Sequence, residues 1–297
     1  MAAGRYRIGL RAHDFGRLPA EDLAAALRPF HPDIAQLALS KALPDPPGEE
    51  EYLKPRAAAS IRSALVEKGV SVSVLGCYIN PVHPNPGERE RQLQRFEAHL
   101  KRAGDFGCRI VGTETGSPAP DSSRHPGTAS EASFELLCES LARLARVAEH
   151  QGAVVGVEPV ADIHVLSSLE TTARLLDRIP GPGLGIIFDP VNLMPIAGLA
   201  EPQSDFFERA FDRLGRRIAA IHLKDFLPSG RESGGKGGKG TIVALGRGAF
   251  DLGAFLESLV RRFPSMDLLL ENCGPGEAAA SMRALRQALG VSPGESI

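Results

Sequence analysis

Eight short apolar runs in this 297-residue chain each end at residues placed to do chemistry. In order, these ends are Arg11 with His13, Gln36, Gly76 with Cys77, Glu114, Glu158, Asp189, His222 and Glu271. The last four, Glu, Asp, His and Glu, close four successive runs, and every one of them can ligate a metal. A lone carboxylate in such a place is often the N-cap of the next helix. Four ligands in phase, each after an apolar run, are not explained by capping. Three carboxylates brought together repel one another and lose hydration, and a divalent cation removes that cost. Three carboxylates and one imidazole suit Mn²⁺, with Mg²⁺, Co²⁺ and Zn²⁺ also compatible.

These side chains meet only if the runs are strands laid side by side. The candidates are Tyr6–Leu10, Asp33–Leu37, Ser71–Leu75, Arg109–Thr113, Ala153–Val157, Leu184–Phe188, Ile218–His222 and Asp267–Leu270. They are short and rich in Val, Ile and Leu, as parallel strands covered on both faces are. Between them run amphipathic helices. Leu93, Phe96, Leu100 and Ala103 step by three and four, as do Phe134, Leu137, Leu141 and Leu144. Leu252, Phe255, Leu256, Leu259, Val260 and Phe263 form a further apolar stripe. Gly69, Gly107 and Gly152 sit where helices stop before strands. Asn85–Pro86 with Glu88 reads as a helix start, and Ser167 with Glu170 as a capping box. Eight strand–helix units predict a single-domain (β/α)8 TIM barrel over residues 1–297. The rival is an open doubly wound sheet. Its GxGxxG turn after the first strand is missing, since that turn reads RAHDFG. On a barrel, chemistry gathers at the C-terminal ends of the strands, where the eight ends above lie.

The formal net charge of −2 lacks the basic footprint of a nucleic-acid binder. No apolar stretch approaches the ~18 residues of a membrane span. Cys77, Cys108, Cys138 and Cys273 form no CxxC pair and read as reduced, buried thiols. The opening MAAGRYRIGLRAHDFG has no apolar core of a secretory signal, so a cytoplasmic location is expected. Pro228–Gly240, PSGRESGGKGGKG, is expected to be a mobile loop at the rim of the mouth, and Pro44–Glu51 an acidic, Pro-rich loop after the second strand.

Across nearly its whole length the chain resembles the sugar phosphate isomerase/epimerase family of xylose isomerase-like TIM barrels. The resemblance is carried by RAHDFG (11–16), QLALSKA (36–42), LGCYINPVHP (75–84), GTETGS (112–117), VGVEP (155–159), IIFDPVN (186–192), IHLKD (221–225) and LLLEN (268–272). It implies one Mn²⁺-type ion held by Glu158, Asp189, His222 and Glu271. From the related ketose 3-epimerases it also implies that Glu158 and Glu271 act as acid and base on opposite faces of the substrate. Two departures stand out. Asn192 occupies the place of a substrate-binding histidine three residues after the metal aspartate, and the chain has no Trp to stack on a sugar. The arginine expected after the strand-seven histidine is Arg231 or Arg247. Many members are dimers or tetramers, which keeps a homo-oligomer open.

The implied chemistry is proton transfer beside a carbonyl. A Lewis acid stabilises the enediolate that forms, and a carboxylate within reach removes the proton. Return of the proton to the other face epimerises, and return to the next carbon isomerises. If a group leaves β to the carbanion, the same site is a lyase or dehydratase, for instance on a keto-inositol or keto-glycoside. The partner is a small sugar or keto-polyol. His164, on the loop after strand five, faces the pocket in similar proteins. Lys224, two residues past His222, points inward as it does. Glu114, His13, Gln36 and Asn192 complete the expected substrate contacts with Arg247. His83, His125 and His150 read as loop or surface residues, and Lys236 and Lys239 as solvated. A DNA-repair endonuclease of this fold binds several zinc ions through many histidines, more than these strand ends supply. A non-catalytic sugar-binding barrel is the remaining alternative.

Overall fold

Strands that are apolar on both faces need a partner on every side, and closure into a barrel leaves none at an edge. The computed structural model describes residues 5–194, 201–228 and 240–291. Its strands are β1 (Arg5–Arg11), β2 (Ile34–Ala38), β3 (Ser71–Gly76), β4 (Ile110–Glu114), β5 (Val154–Glu158), β6 (Leu184–Phe188), β7 (Ile218–Leu223), β8 (Asp225–Leu227), β9 (Thr241–Val243) and β10 (Ser265–Leu270). Strands β1 to β7 and β10 close in the order β1-β10-β7-β6-β5-β4-β3-β2, and every ladder is parallel. The remaining pair, β8 and β9, forms a small antiparallel hairpin beyond β7. The chain is thus a single (β/α)8 barrel.

Two apolar layers hold it. The large one lies between strands and surrounding helices. The small one, Ile34, Val74, Ile187, Ala220 and Leu269, fills the barrel itself. Glycines make room for this plug. A Cβ on Gly112 or Gly156 would come within 2.9 or 3.0 Å of Ile187 Cδ1, and one on Gly9 within 2.1 Å of the Ile34 carbonyl oxygen. The plug divides the two ends of the barrel.

Most local expectations hold. Gly69, Gly107 and Gly152 all have positive φ, and Asn85 accepts the Glu88 N–H at the start of helix Pro86–Arg102. The capping box falls one residue later than the sequence suggested: Ser168 and Thr171 form it, in place of Ser167 and Glu170. That register turns Leu169, Thr172, Leu175 and Leu176 inward. Val260 does not belong to the stripe of helix Leu252–Arg262. It is 46% exposed, and Ser258 is buried instead. His83 lies in a loop, as expected, but is buried there, and its Nδ1 accepts the Asn85 N–H. All four cysteines are buried and free. Residues 229–239 of the expected mobile loop, with Arg231, Lys236 and Lys239, lie outside the described residues. No helix among the described residues is long and apolar enough to cross a membrane.

The acidic segment after β2 is anchored. Glu49–Tyr52 is a helical turn, and Glu49 receives Arg95 Nε and Nη2 at 2.5 and 2.9 Å. Arg95 also donates to the Tyr78 carbonyl at 2.9 Å, which ties this anchor to the mouth. Burial alone would raise the Glu49 carboxyl, but hydrogen bonds from His99 and Arg95 outweigh it and hold it at about 2. A carboxyl with a depressed folded value stabilises above its unfolded value, near 4.5, and stops doing so as pH falls through about 2. Glu49→Gln should therefore lower stability by roughly 1–2 kcal/mol at pH 7, after discounting for solvent. In urea titrations at decreasing pH the two proteins should begin to converge below about 4.5 and meet near 2. A constant gap from pH 7 to 2 would show that the ion pair is not the source.

Candidate metal centre

Strands β5, β6, β7 and β10 deliver the four expected ligands to one place. Glu158 is the last residue of β5, Asp189 and Glu271 directly follow β6 and β10, and His222 is the penultimate residue of β7. One ligand atom from each lies within 4.8 Å of all the others. All four are buried, Asp189 and His222 completely. Ligands about 2.1 Å from one ion can be no more than about 4.2 Å apart, so no pair would need to close by more than roughly 0.6 Å.

The orphaned atoms fit a metal better than an internal network. Neither ring nitrogen of His222 has a hydrogen-bond partner among the described residues. Its Nδ1 nonetheless sits 3.2 Å from Glu158 Oε2 and 3.1 Å from Glu271 Oε1. Buried polar atoms are rarely left unpaired, and donors that converge without bonding one another are arranged around a common point. Asp189 combines two roles. Its Oδ1 caps helix Pro190–Leu193 by accepting the Asn192 N–H at 3.1 Å, and its Oδ2 faces the cluster.

Two cations compensate part of the charge. Lys224 Nζ lies 2.7 Å from Asp189 Oδ2 and 3.0 Å from Glu271 Oε2. Arg11 reaches Glu271 Oε1 at 2.9 Å and Asp14 at 2.8 Å. Burial pushes Asp189 up to about 6, against the pull of Lys224. Burial and the Glu271 charge also raise Glu158. Burial would raise Glu271 as well, but Lys224, His222 and Arg11 hold it well below the carboxylate range. Burial would lower His222, yet Glu158 and Glu271 hold it up at about 10. The two glutamates thus have unlike surroundings. Both meet His222, but Glu271 also touches two cations, while Glu158 receives Asn192 Nδ2 at 2.7 Å.

The other expected residues spread around this core. Lys224 points inward, as alternation along the strand requires. His164 is buried, with Nε2 3.7 Å from Glu114 Oε2, and the Glu114 side chain is 42% exposed toward the opening. Gln36 is buried and donates to the Tyr78 hydroxyl at 2.9 Å. The His13 ring meets Tyr78 edge-on, with centroids 6.1 Å apart. Burial, then Arg11 and Lys41, lower His13 to about 3, so its imidazole is neutral. Arg247 is not brought to the cluster. It is exposed and makes no side-chain hydrogen bond or ion pair among the described residues. Tyr78 was not singled out in the sequence, although it stands two residues past β3, within LGCYINPVHP. Lys41 was also passed over. Its Nζ lies 3.6 Å over the Tyr78 ring.

A family model described as xylose isomerase-like TIM barrel matches residues 37–288, and the chain belongs to that family. No protein with a curated description matches it. Solved structures do. A xylose isomerase domain protein from Planctomyces limnophilus is 21% identical, with 96% of this chain and 97% of that one covered and a TM-score of 0.71. The 3-keto-D-glucoside 4-epimerase YcjR from E. coli is 16% identical over 95% of this chain and 100% of its own, with a TM-score of 0.70. A xylose isomerase-like TIM barrel protein from Mycobacterium smegmatis, in complex with magnesium, is 14% identical over 96% of both, at 0.72. At such identities the likeness establishes the fold.

Proposed function

We propose that the chain is a divalent-metal-dependent isomerase or epimerase that moves a proton beside the carbonyl of a small sugar or keto-polyol. The observation that carries this reading is the convergence of four buried ligand residues, Glu158, Asp189, His222 and Glu271, from four strands. The ion, Mn²⁺ by preference, supplies Lewis acidity to the substrate carbonyl when bound. Mg²⁺, Co²⁺ and Zn²⁺ fit the same donors.

Glu158 and Glu271 act as acid and base, one removing the proton and the other returning it. Asn192 orients Glu158 through the 2.7 Å bond to Oε1. Arg11 and Lys224 orient Glu271 and keep it ionised. Lys224 also offers a buried ammonium to negative charge that develops on the substrate oxygens. Gln36, His13, Glu114 and His164 bind hydroxyls around the mouth. The family match and the fold shared with an epimerase and with a magnesium complex support this reading. Free, buried cysteines fit a reducing compartment, and the cytoplasm is the proposed location.

A second reading is a lyase or dehydratase on a keto-inositol or keto-glycoside. It is favoured by Asn192, which contacts Glu158 where ketose 3-epimerases carry a histidine. Metal analysis of the purified protein, then a deuterium-exchange screen over ketoses, keto-inositols and their phosphates, separates the two. Inversion with deuterium incorporated at one carbon selects the epimerase. An α,β-unsaturated or diketone product selects the lyase. Failure to take up manganese or any other divalent ion overturns both.

A further inference from the structure

The end of the barrel opposite the metal centre holds a cavity of about 550 Å³. Its floor includes side chains too small to fill it: Ser73, Gly185 and Ala219, near the starts of β3, β6 and β7. The apolar plug inside the barrel separates this cavity from the mouth. Four arginines line it, Arg7, Arg109, Arg216 and Arg217, against one acid, Asp267. That is a formal excess of three positive charges.

Only Arg7 is neutralised. Its Nε and Nη2 donate to the two Asp267 oxygens at 2.8 and 2.6 Å. Arg217 instead donates to three carbonyls, those of Leu184, Ile179 and Pro180, at 3.0, 2.8 and 3.2 Å. These bonds fix its guanidinium without cancelling its charge, and burial lowers its pKa. Arg109 uses Nε alone, on the Gly152 carbonyl at 3.0 Å, which leaves its terminal nitrogens unengaged. Arg216 makes no side-chain hydrogen bond or ion pair among the described residues. The neighbouring acid Glu149 accepts the Gly183 N–H at 3.2 Å and forms no ion pair with these arginines among the described residues. Elsewhere in this protein, arginines of the helical ring are matched with carboxylates: Arg143 with Glu90 and Glu97, Arg174 with Glu131, Arg178 with Glu135. Arg109, Arg216 and Arg217, gathered around one concavity with no carboxylate paired to them among the described residues, repel one another until an anion enters.

We propose that this end of the barrel binds a phosphate-bearing small molecule, its phosphate held by Arg109, Arg216 and Arg217. Guanidinium forks match phosphate oxygens two at a time. The cavity has the size of a small-molecule site and exceeds the needs of a lone phosphate. The proposal is independent of the reaction at the mouth, because it uses no residue from there.

The test is thermal unfolding of the full chain with inorganic phosphate, pyrophosphate or a sugar monophosphate, each against sodium chloride at matched ionic strength. At least one phosphate probe should give a saturable rise in melting temperature of about 2 °C or more. The rise should survive Glu271→Gln, which alters only the mouth, and vanish in the double variant Arg109→Glu/Arg216→Glu. Both arginines are exposed, so that variant should fold, and its melting temperature without ligand checks this. Arg216→Ala should weaken the apparent affinity several-fold. A rise no larger than that in chloride, or one that persists in the double variant, overturns the proposal.

Discussion

Glu158→Gln and Glu271→Gln should each reduce solvent-deuterium exchange into substrate by roughly 10²–10⁴-fold, the usual contribution of a positioned acid or base. Their effects on stability should differ, because their surroundings differ. Glu158 stands among like charges. Its one direct donor is the Asn192 amide, besides His222 Nδ1 at 3.2 Å. A glutamine there can still accept from Asn192 and removes one carboxylate from a repelling set, so metal-free stability should change by less than about 1 kcal/mol. Glu271 anchors Arg11 and Lys224. Without its charge those cations keep only Asp14 and Asp189 as carboxylate partners, with Asn272 Oδ1 a neutral acceptor for Arg11, and roughly 1–3 kcal/mol of stability should go with it. Urea unfolding without metal, run beside single-turnover exchange, checks both halves. Exchange retained in both variants would remove the two glutamates from the chemistry. Equal loss of stability in both would show that Arg11 and Lys224 do not distinguish them.

The periodic parts of this fold are the parts a sequence displays. Short runs of Val, Ile and Leu alternating with helical stripes place the barrel strands within a residue or two, because burial on both faces leaves few polar positions to blur them. The candidate ligands are legible for the same reason. Each stands at the end of an apolar run, where a (β/α)8 barrel brings chemistry together. What the sequence hides is contact between side chains from different strands. Nothing local to Lys224 says that its ammonium bridges Asp189 and Glu271, although its distance of two from His222 does say that it points inward. Tyr78 lies past the end of β3, where strand periodicity no longer applies. Its place is set by Arg95 and Gln36, from two other elements. Ser167 and Ser168 are both adequate caps. The choice between them follows from which register buries Leu169, a tertiary effect.

Asp225 is the largest such omission, and its replacement should damage the protein most. It belongs to the IHLKD run, but it faces away from the metal centre, and its carboxylate gathers the chain that follows. Oδ1 accepts the N–H groups of Phe226 and Phe250, both at 2.8 Å. Oδ2 accepts those of Gly246 and Gly248, at 3.0 and 2.8 Å. A Cβ on Gly248 would come within 2.4 Å of Oδ1 and 2.2 Å of the Phe226 carbonyl oxygen, so glycine there is part of the same device. One buried carboxylate thus fixes the start of β8 and the turn that carries Arg247. In Asp225→Ala, water can reach Gly246 and Gly248, which are exposed. The amides of Phe226 and Phe250 are left buried without acceptors, at about 1–3 kcal/mol each, and the charge-assisted strength of all four bonds is lost. The expected loss is roughly 3–5 kcal/mol, seen as a lower urea midpoint at unchanged m. Asp225→Asn should lose about half as much, because one face of the amide still accepts while the other opposes donors with its own N–H. Amide hydrogen exchange gives the local readout: in both variants the N–H groups of residues 226, 246, 248 and 250 should lose protection before the barrel strands do. If those amides stay protected in the alanine variant, the turn is held by something other than this carboxylate.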